Sequence, residues 1–185
     1  SSVREVVKEA RDIAKENLER VKKTVKENRD LARKVAEDVK KSVEELRKLA
    51  EDVEEIARKA TGDEDLERVL REVEERIEDL HRRSEEIARE VRKRSRESHE
   101  RTKEITTDSR RRIEELLKKV KDEGVEEELE KELRTVVREV EEVLRRSEED
   151  DRRVHKEAED VIKKVEEDDK EVVDRVKKVI RDVRT

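Results

Sequence analysis

Apolar side chains recur along the whole chain at steps of three and four residues, which is the spacing of one face of an α-helix. In the first third of the chain the predicted core series is Val3, Val6, Ala10, Ile13, Asn17, Val21, Thr24, Asn28, Leu31, Val35, Val39, Ser42, Leu46, Leu49, Val53, Ala57 and Ala60. Two consecutive four-residue steps are centred on Asn17, Val35 and Val53, and such double steps recur every 18 residues in all three thirds. Since 18 residues make five undistorted helical turns, the pattern predicts nearly straight helices.

Two glycines, Gly62 and Gly124, divide the chain into three segments of nearly equal length. A glycine after a helix, followed by acidic residues in the next first turn, is typical of a tight helix–helix connection. Ser2 and Glu5 have the spacing of a capping box, and Asp63 is a candidate N-cap.

From these signals we predict helices over residues 2–61, 63–123 and 125–184, within one domain over residues 1–185. Connections this short force neighbouring helices to run antiparallel. The predicted fold is therefore all-α, a single-chain antiparallel up-down-up three-helix bundle with nearly straight helices of about 60 residues.

Composition narrows the class of protein further. Charged residues make up 58% of the chain, and Pro, Cys, Met and aromatic residues are all absent. Such a composition with helical periodicity is typical of long helices and coiled coils, and the absence of Cys excludes disulfides and thiol chemistry. There is no signal peptide and no long apolar run, so we expect a soluble protein whose location the sequence leaves open.

Polar residues interrupt the predicted core series, most densely in SRESHERTKEITTDS at residues 95–109. With turns at the two glycines, residue x of helix 1 lies level with residue 124 − x of helix 2, and residue y of helix 2 with residue 248 − y of helix 3. This places His81 near Ser42 and near Asp168 or Asp169; His99 near Thr24 and near Asp150 or Asp151; His155 near Ser95 and Asn28; and Thr102 and Thr106 near Asn17 and Ser147.

An unpartnered buried polar group costs about 1–3 kcal/mol, so we expect these side chains to hydrogen bond across the helix interfaces. The predicted buried polar network comprises Asn17, Thr24, Asn28, Ser42, His81, Ser84, Ser95, Ser98, His99, Thr102, Thr106, Ser109, Ser147, Asp151, His155 and Asp169.

The predicted network contains His, Asp and Ser, which are residue types that also bind metals and act in catalysis. His81 and His99 lie roughly 27 Å apart along one helix, and the levels of His99 and His155 differ by roughly 9 Å, so we predict no metal site and no cofactor. Ser98, His99 and Asp151 contain the residue types of a catalytic triad. A packed three-helix interior, however, offers neither a cleft nor an oxyanion hole, and we therefore expect no catalytic residues and no enzyme.

The sequence also argues against several classes of binding partner. The basic runs at residues 91–96 and 109–112 are flanked by acids and lack stacking aromatics, and no bulky apolar anchor for a membrane surface is present. We predict no nucleic acid, membrane or small-molecule partner and expect a monomer. The wide apolar stripe leaves open self-association or the acceptance of a further helix from a partner chain.

Equal segments, single-glycine turns, the 18-residue phase, the lack of aromatics and stacked Ser, Thr, Asn, His and Asp positions together resemble de novo designed parametric helical bundles with buried hydrogen-bond networks. The resemblance covers the whole chain, whereas natural three-helix repeats such as spectrin carry core Trp and helices of varied length. It implies a structural protein without natural biochemical activity, whose networks specify helix pairing and register. It also implies that buried histidines can make stability pH-dependent, in a direction that the sequence leaves open. The alternative is a designed interaction component.

Overall fold

A computed structural model describes residues 2–59 and 63–185 of the chain. It contains three α-helices, α1 (Val3–Lys59), α2 (Asp63–Glu123) and α3 (Glu127–Arg184). Their lengths are 57, 61 and 58 residues. The predicted all-α three-helix bundle with helices of nearly equal length is therefore confirmed. The straightness of the helices and the single domain stay predictions.

Where the predicted helix bounds can be compared with the structure, they differ by at most two residues. α2 has the predicted bounds, and α1 begins at Val3, one residue after the predicted start at residue 2. α3 ends as predicted but begins two residues later than residue 125. The later start has a simple cause: the N–H of Glu130 bonds to the carbonyl of Glu126 at 3.0 Å, so the first helical turn follows Glu126. The predicted end of helix 1 at residue 61, with Ala60 and Gly62, lies outside the described residues, as does the side chain of Asp63.

The start of α1 and the turn before α3 show the expected local chemistry. The N–H of Glu5 donates to Ser2 Oγ at 3.3 Å, which is the bond that an N-cap serine makes. At the other connection Gly124 has a φ of +87°, a left-handed conformation that glycine adopts without steric cost. The Gly124 N–H bonds to the carbonyl of Lys121 at 3.2 Å, so the glycine closes the end of α2.

The helices contribute to two compact units, unit 1 (residues 1–29 and 94–157) and unit 2 (residues 30–93 and 158–185). In unit 1, Asn17 of α1 bonds to Thr106 of α2 and Asn28 bonds to Ser95, so these two helix segments run antiparallel. Ion pairs of Arg11 with Glu139 and of Arg29 with Glu157 show that α1 and α3 run parallel there.

The core of unit 1 is aliphatic. Its larger cluster consists of Val6, Val7, Ala10, Ile13, Ala14, Ile113, Val120, Leu133, Val136, Val140 and Leu144. A smaller cluster of Val21, Val25 and Val154 adds to it. Since all three helices contribute to the larger cluster, burial of their apolar faces holds this unit together.

Unit 2 has the same kind of interior. Its main cluster consists of Val39, Val43, Leu46, Ala50, Val53, Leu70, Val73, Ile77, Leu80, Val172, Val173, Val176 and Ile180. A second cluster contains Ala88, Val91 and Ile162. The charged rim of this unit includes Arg76 of α2 paired with Glu45 of α1 at 2.5 Å.

Two further surface properties follow from this packing. Among the described residues the one exposed large apolar side chain is Val137, at 40%. Within the same part of the chain, none of the helices combines the length and apolar character needed to cross a lipid bilayer.

Replacement of Gly124 by Ala should lower the free energy of unfolding by about 1–2 kcal/mol, because a Cβ makes the left-handed conformation unfavourable. No other atom lies within 4 Å of that Cβ position, so the effect would come from backbone strain alone. Guanidinium denaturation followed by helical circular dichroism measures the change. Lys119→Ala, on the exposed face of α2, is the matched control and should alter stability little. Equal effects of the two substitutions would show that the left-handed turn is not under strain with Ala.

Candidate functional site

Ten polar side chains are buried among the described residues, and all ten belong to the set predicted from the sequence. They are Asn17, Asn28, Ser84, Ser95, Thr102, Thr106, Ser109, Ser147, Asp151 and Asp169. The other six predicted residues, Thr24, Ser42, His81, Ser98, His99 and His155, are half-buried. Each helix contributes to the buried set, which therefore lies where the helices face one another.

One polar contact in unit 1 joins α1 to α2 through an asparagine. Asn17 Nδ2 donates to Thr106 Oγ1 at 3.3 Å and to Ser109 Oγ at 3.2 Å. The two acceptors lie three residues apart on α2, so one amide can reach both on the same helix face. The level rule from the sequence, by which residue x of helix 1 lies level with residue 124 − x of helix 2, placed Thr106 near Asn17. The role of Ser109 as a second acceptor was not expected.

A second contact in unit 1 links all three helices at one level. Asn28 Nδ2 donates to Ser95 Oγ at 3.2 Å, and the same oxygen is hydrogen bonded to His155 Nδ1 at 2.9 Å. Ser95 is 1% exposed and Asn28 is 6% exposed, so both groups are withdrawn from water. The structure thus brings together the three residues that the level rule placed side by side.

His99 bonds to one aspartate of the predicted pair. Its Nδ1 contacts the carboxylate of Asp151, which is 5% exposed. Asp150 instead accepts a bond from Arg153 on its own helix at 3.0 Å. The expected contact of His99 with Thr24 does not form, because Thr24 Oγ1 donates to the carbonyl of Arg20 at 3.0 Å. A threonine within a helix can satisfy its hydroxyl in this local way.

The rings of His99 and His155 stack, with centroids 4.9 Å apart and an interplanar angle of 21°. The rings thus lie closer together than the axial separation of roughly 9 Å that the levels of the two residues predicted. Side chains lean toward the N-terminus of their own helix. Because α2 and α3 run antiparallel, the two rings lean toward each other and shorten the axial separation predicted from the levels.

In unit 2 the polar contact is centred on His81. Its Nδ1 lies 2.6 Å from Asp169 Oδ2, and its Nε2 lies 2.9 Å from Glu85 Oε1. Asp169, rather than Asp168, is the inward-facing member of that pair, at 3% exposure. Ser42 does not join this layer, since its hydroxyl donates to the carbonyl of Asp38 at 3.4 Å. Sequence reasoning missed Glu85, although a glutamate four residues after a histidine lies beside it on a helix.

Burial changes the acidity of the two inward-facing aspartates. Loss of hydration raises the pKa of Asp151 and of Asp169 above the ordinary value of 3.8, and the contacts with His99 and His81 oppose this rise. A raised pKa means that the folded state binds the proton more tightly than the unfolded chain does. The contribution of each aspartate to stability is therefore complete below pH 3.8. It is lost as the pH rises through the raised pKa.

Several polar atoms of the predicted network have no hydrogen-bond partner within the described part of the chain. They are Asn17 Oδ1, Asn28 Oδ1, Ser84 Oγ, Thr102 Oγ1 and Asp169 Oδ1. Thr102 lies near Asp151, and Ser84 lies near Asp169. Both hydroxyls favour the ionised form of the neighbouring aspartate, although neither meets the geometry of a hydrogen bond. The hydroxyl of Ser147 donates to the carbonyl of Val143 on its own helix at 3.3 Å. The polar contacts thus form separate clusters, and some of their buried polar atoms lack a hydrogen-bond partner among the described residues.

The arrangement does not assemble the catalytic geometry considered from the sequence. His99 contacts Asp151, but Ser98 is half-buried and makes no hydrogen bond to His99 within residues 63–185. Over the described ranges, no group of three or more His, Cys, Asp or Glu side chains could hold a metal ion. The chemistry that the site offers is hydrogen bonding between helices and proton binding by His–Asp pairs.

Comparison with known proteins gives a match of fold. No protein-family model matches the chain, and no curated protein does. A solved structure described as a computationally designed three helix bundle matches with a TM-score of 0.67 and 16% sequence identity, over 98% of this chain and 88% of the other. The chain therefore has the three-helix fold of a designed bundle, and the resemblance predicted from the sequence is confirmed at the level of the fold.

Proposed function

We propose that this chain is a de novo designed structural protein without natural biochemical activity, in which buried polar contacts specify helix pairing and register. The observation that carries the proposal is the link between Asn28, Ser95 and His155, which joins α1, α2 and α3 at one level of unit 1. Both contacts converge on one serine oxygen of α2, so displacement of any one of the three helices would break at least one of them.

Apolar contacts alone give such a bundle little selectivity. The core repeats Val, Leu, Ile and Ala at similar spacing on every helix, so a shifted pairing would bury nearly the same apolar surface. A shift that separates Asn28 from Ser95 would leave buried polar groups without partners, at about 1–3 kcal/mol each. The polar contacts therefore penalise alternative pairings more than they stabilise the correct one.

The interaction alternative, a designed component that self-associates or accepts a further helix, has less support. In the described ranges Val137 is the one large apolar side chain that is exposed, at 40%. A single exposed valine is far smaller than the patches that mark protein interfaces. A species of 22.1 kDa in size-exclusion chromatography with light scattering would agree with a monomer, and a multiple of that mass would favour self-association.

Replacing the three linked residues together, by Asn28→Leu, Ser95→Ala and His155→Leu, tests the proposal directly. We expect the free energy of unfolding to stay equal or rise, because an apolar layer replaces a desolvated polar one. The ¹H–¹⁵N correlation spectrum should then show several sets of amide signals, or light scattering should show mixed oligomers. Leu46→Ile, in the aliphatic core of unit 2, is the control and should keep one set of signals. A triple variant that stays monomeric with one set of signals would contradict a role in specifying pairing.

Removal of one partner should have the opposite effect on stability. Ser95→Ala leaves the Asn28 amide and a His155 ring nitrogen without their shared oxygen, and should cost about 1–3 kcal/mol. Ser98→Ala, three residues along the same helix, removes a half-buried hydroxyl that bonds to no described residue and should change stability by less than about 0.5 kcal/mol. Chemical denaturation at neutral pH measures both, and equal losses would argue against the Ser95 contact.

The raised pKa of Asp151 defines the direction in which this residue makes stability change with pH. The titratable groups facing it are His99 on α2 and His155 on α3, and Thr102 lies beside it. Because burial raises the Asp151 pKa, the parent protein should gain stability relative to Asp151→Asn as the pH falls from about 7 to about 4. Denaturation midpoints across that range measure the difference between the two proteins. Asp150→Asn, on the neighbouring residue that pairs with Arg153, should follow the parent profile; a constant difference between parent and Asp151→Asn would contradict the prediction.

A further inference from the structure

One arginine of unit 1 is held by two glutamates of the neighbouring helix. Arg110 Nη2 of α2 lies 2.9 Å from Glu141 Oε1 and 2.9 Å from Glu148 Oε1, both on α3. Since seven residues make about two helical turns, the two glutamates face the same neighbour. We call an arginine between two glutamates that are seven residues apart on the facing helix an arginine clamp.

Unit 2 contains a second arginine clamp in which the helices exchange roles. Arg184 of α3 lies 2.8 Å from Glu67 Oε1 of α2 and also contacts Glu74. In both clamps the numbers of the paired residues add to 251 and to 258, as 110 and 141 or 184 and 74 do. The same offset between α2 and α3 therefore occurs in each unit.

The 18-residue repeat of the sequence places a third arginine at the same offset. Arg92 lies 18 residues before Arg110 on α2 and pairs with Glu166 of α3 at 2.5 Å. The numbers 92 and 166 also add to 258, and Glu159 occupies the position seven residues before Glu166. The arrangement thus follows the repeat of the core.

The arginine clamps differ from isolated surface ion pairs in two respects. The side chains of Arg110 and Arg184 are 32% and 35% exposed, so their charges are partly shielded from water and salt. The planar guanidinium group has several N–H donors and can serve two carboxylates at once. Because networks of charges contribute more to stability than isolated exposed pairs do, a clamp has more influence on helix pairing than a single pair.

The Arg110 clamp is complete at one register only. A slide of α3 by seven residues in one direction would set Arg134 and Glu141 opposite Arg110, and a slide in the other direction would set Glu148 and His155 there. Either slide removes one of the two carboxylates from Arg110. The first slide also brings two arginines together, so it is opposed by repulsion as well.

We propose that the Arg110 clamp fixes the register of α3 against α2 in unit 1. Both of its ion pairs form together only in the observed register. The Arg184 clamp is less selective, because the first slide would replace its arginine by Lys177. This proposal rests on the proposed function, to which it adds a register-determining group at the edge of the helix interface. The residues involved lie outside the buried contacts, so the two roles can be tested separately.

Charge reversal in the parent chain tests whether the clamp acts through paired charges. Arg110→Glu should lower the urea denaturation midpoint, because it sets a third carboxylate beside Glu141 and Glu148. Addition of Glu141→Arg and Glu148→Arg should restore most of the loss, since the same contacts then form with opposite charges. Sodium chloride at about 1 M should reduce the difference, because it shortens the screening length to about 3 Å. A reversed clamp that is no more stable than Arg110→Glu alone would overturn the proposal.

Moving the clamp along α3 tests its effect on register. The charge exchange Arg134→Glu with Glu148→Arg gives α3 two glutamates that meet Arg110 together only after the first slide. The exchange is made in the triple variant that has an apolar layer in place of the link between Asn28, Ser95 and His155. In that variant the link no longer opposes a slide, so the clamp has the larger share in setting the register.

The register is measured as a distance between spin labels on Lys118→Cys of α2 and Lys156→Cys of α3, two exposed positions in unit 1. The chain contains no other cysteine. A slide by seven residues moves α3 by about 10 Å, and the first slide lengthens the distance between these two positions. Pulsed electron paramagnetic resonance should therefore show that the charge exchange raises the population of the longer distance several-fold.

A second charge exchange on α3 is the matched control. Arg138→Glu with Glu149→Arg exchanges the same charges between exposed positions outside the clamp and should leave the distances unchanged. Equal distance distributions in the two exchanges would overturn the proposal. One set of amide signals in the triple variant would instead contradict the role of the buried link, and the charge reversal in the parent chain would still decide for or against the clamp.

Discussion

A polar group taken out of water between helices costs free energy unless a partner meets it, and ten buried polar side chains among the described residues are subject to that constraint. The aliphatic clusters can form with many pairings, because their residues are alike on every helix. The polar groups cannot, because Asn28 needs Ser95 and His99 needs Asp151 at the same level. Under the proposed function, helix identity and register thus depend on relatively few atoms.

The polar residues meet this constraint in two ways with different consequences. Thr24, Ser42 and Ser147 donate to carbonyl groups four residues earlier on their own helices. Those bonds satisfy the hydroxyls wherever the neighbouring helices lie, so they carry no information about pairing. Asn17, Asn28 and the histidines have side chains too long or too polar for that solution, and their bonds cross to another helix. Any specificity that the proposed function assigns to these contacts therefore rests on the longer side chains.

The sequence predicted the fold and most of the buried set, and its failures share one physical origin. Helical periodicity and the two glycines sufficed for the bounds of α2, and the level rule paired Ser95 with His155. The histidine contacts between α2 and α3 join residues whose numbers add to 250, as 99 and 151 do, against the 248 assumed. The stacking of His99 on His155 and the role of Glu85 were missed. Periodicity locates a residue on a helix face, whereas these contacts depend on side-chain direction and length.

Two ion pairs between α1 and α3 of unit 1 do not by themselves distinguish one register from another. Arg11 pairs with Glu139, and Arg29 with Glu157, at 3.1 and 3.5 Å on a largely exposed rim. Moving α3 by seven residues, from 139 to 132 and from 157 to 150, would set Glu132 and Asp150 opposite the same arginines. The slide keeps both of these attractions between α1 and α3. It would, however, set Arg134 in the place of Glu141, opposite Arg110 of α2, and Glu148 in the place of His155. The contacts of α2 with α3 therefore respond to a slide that leaves the ion pairs of α1 with α3 intact.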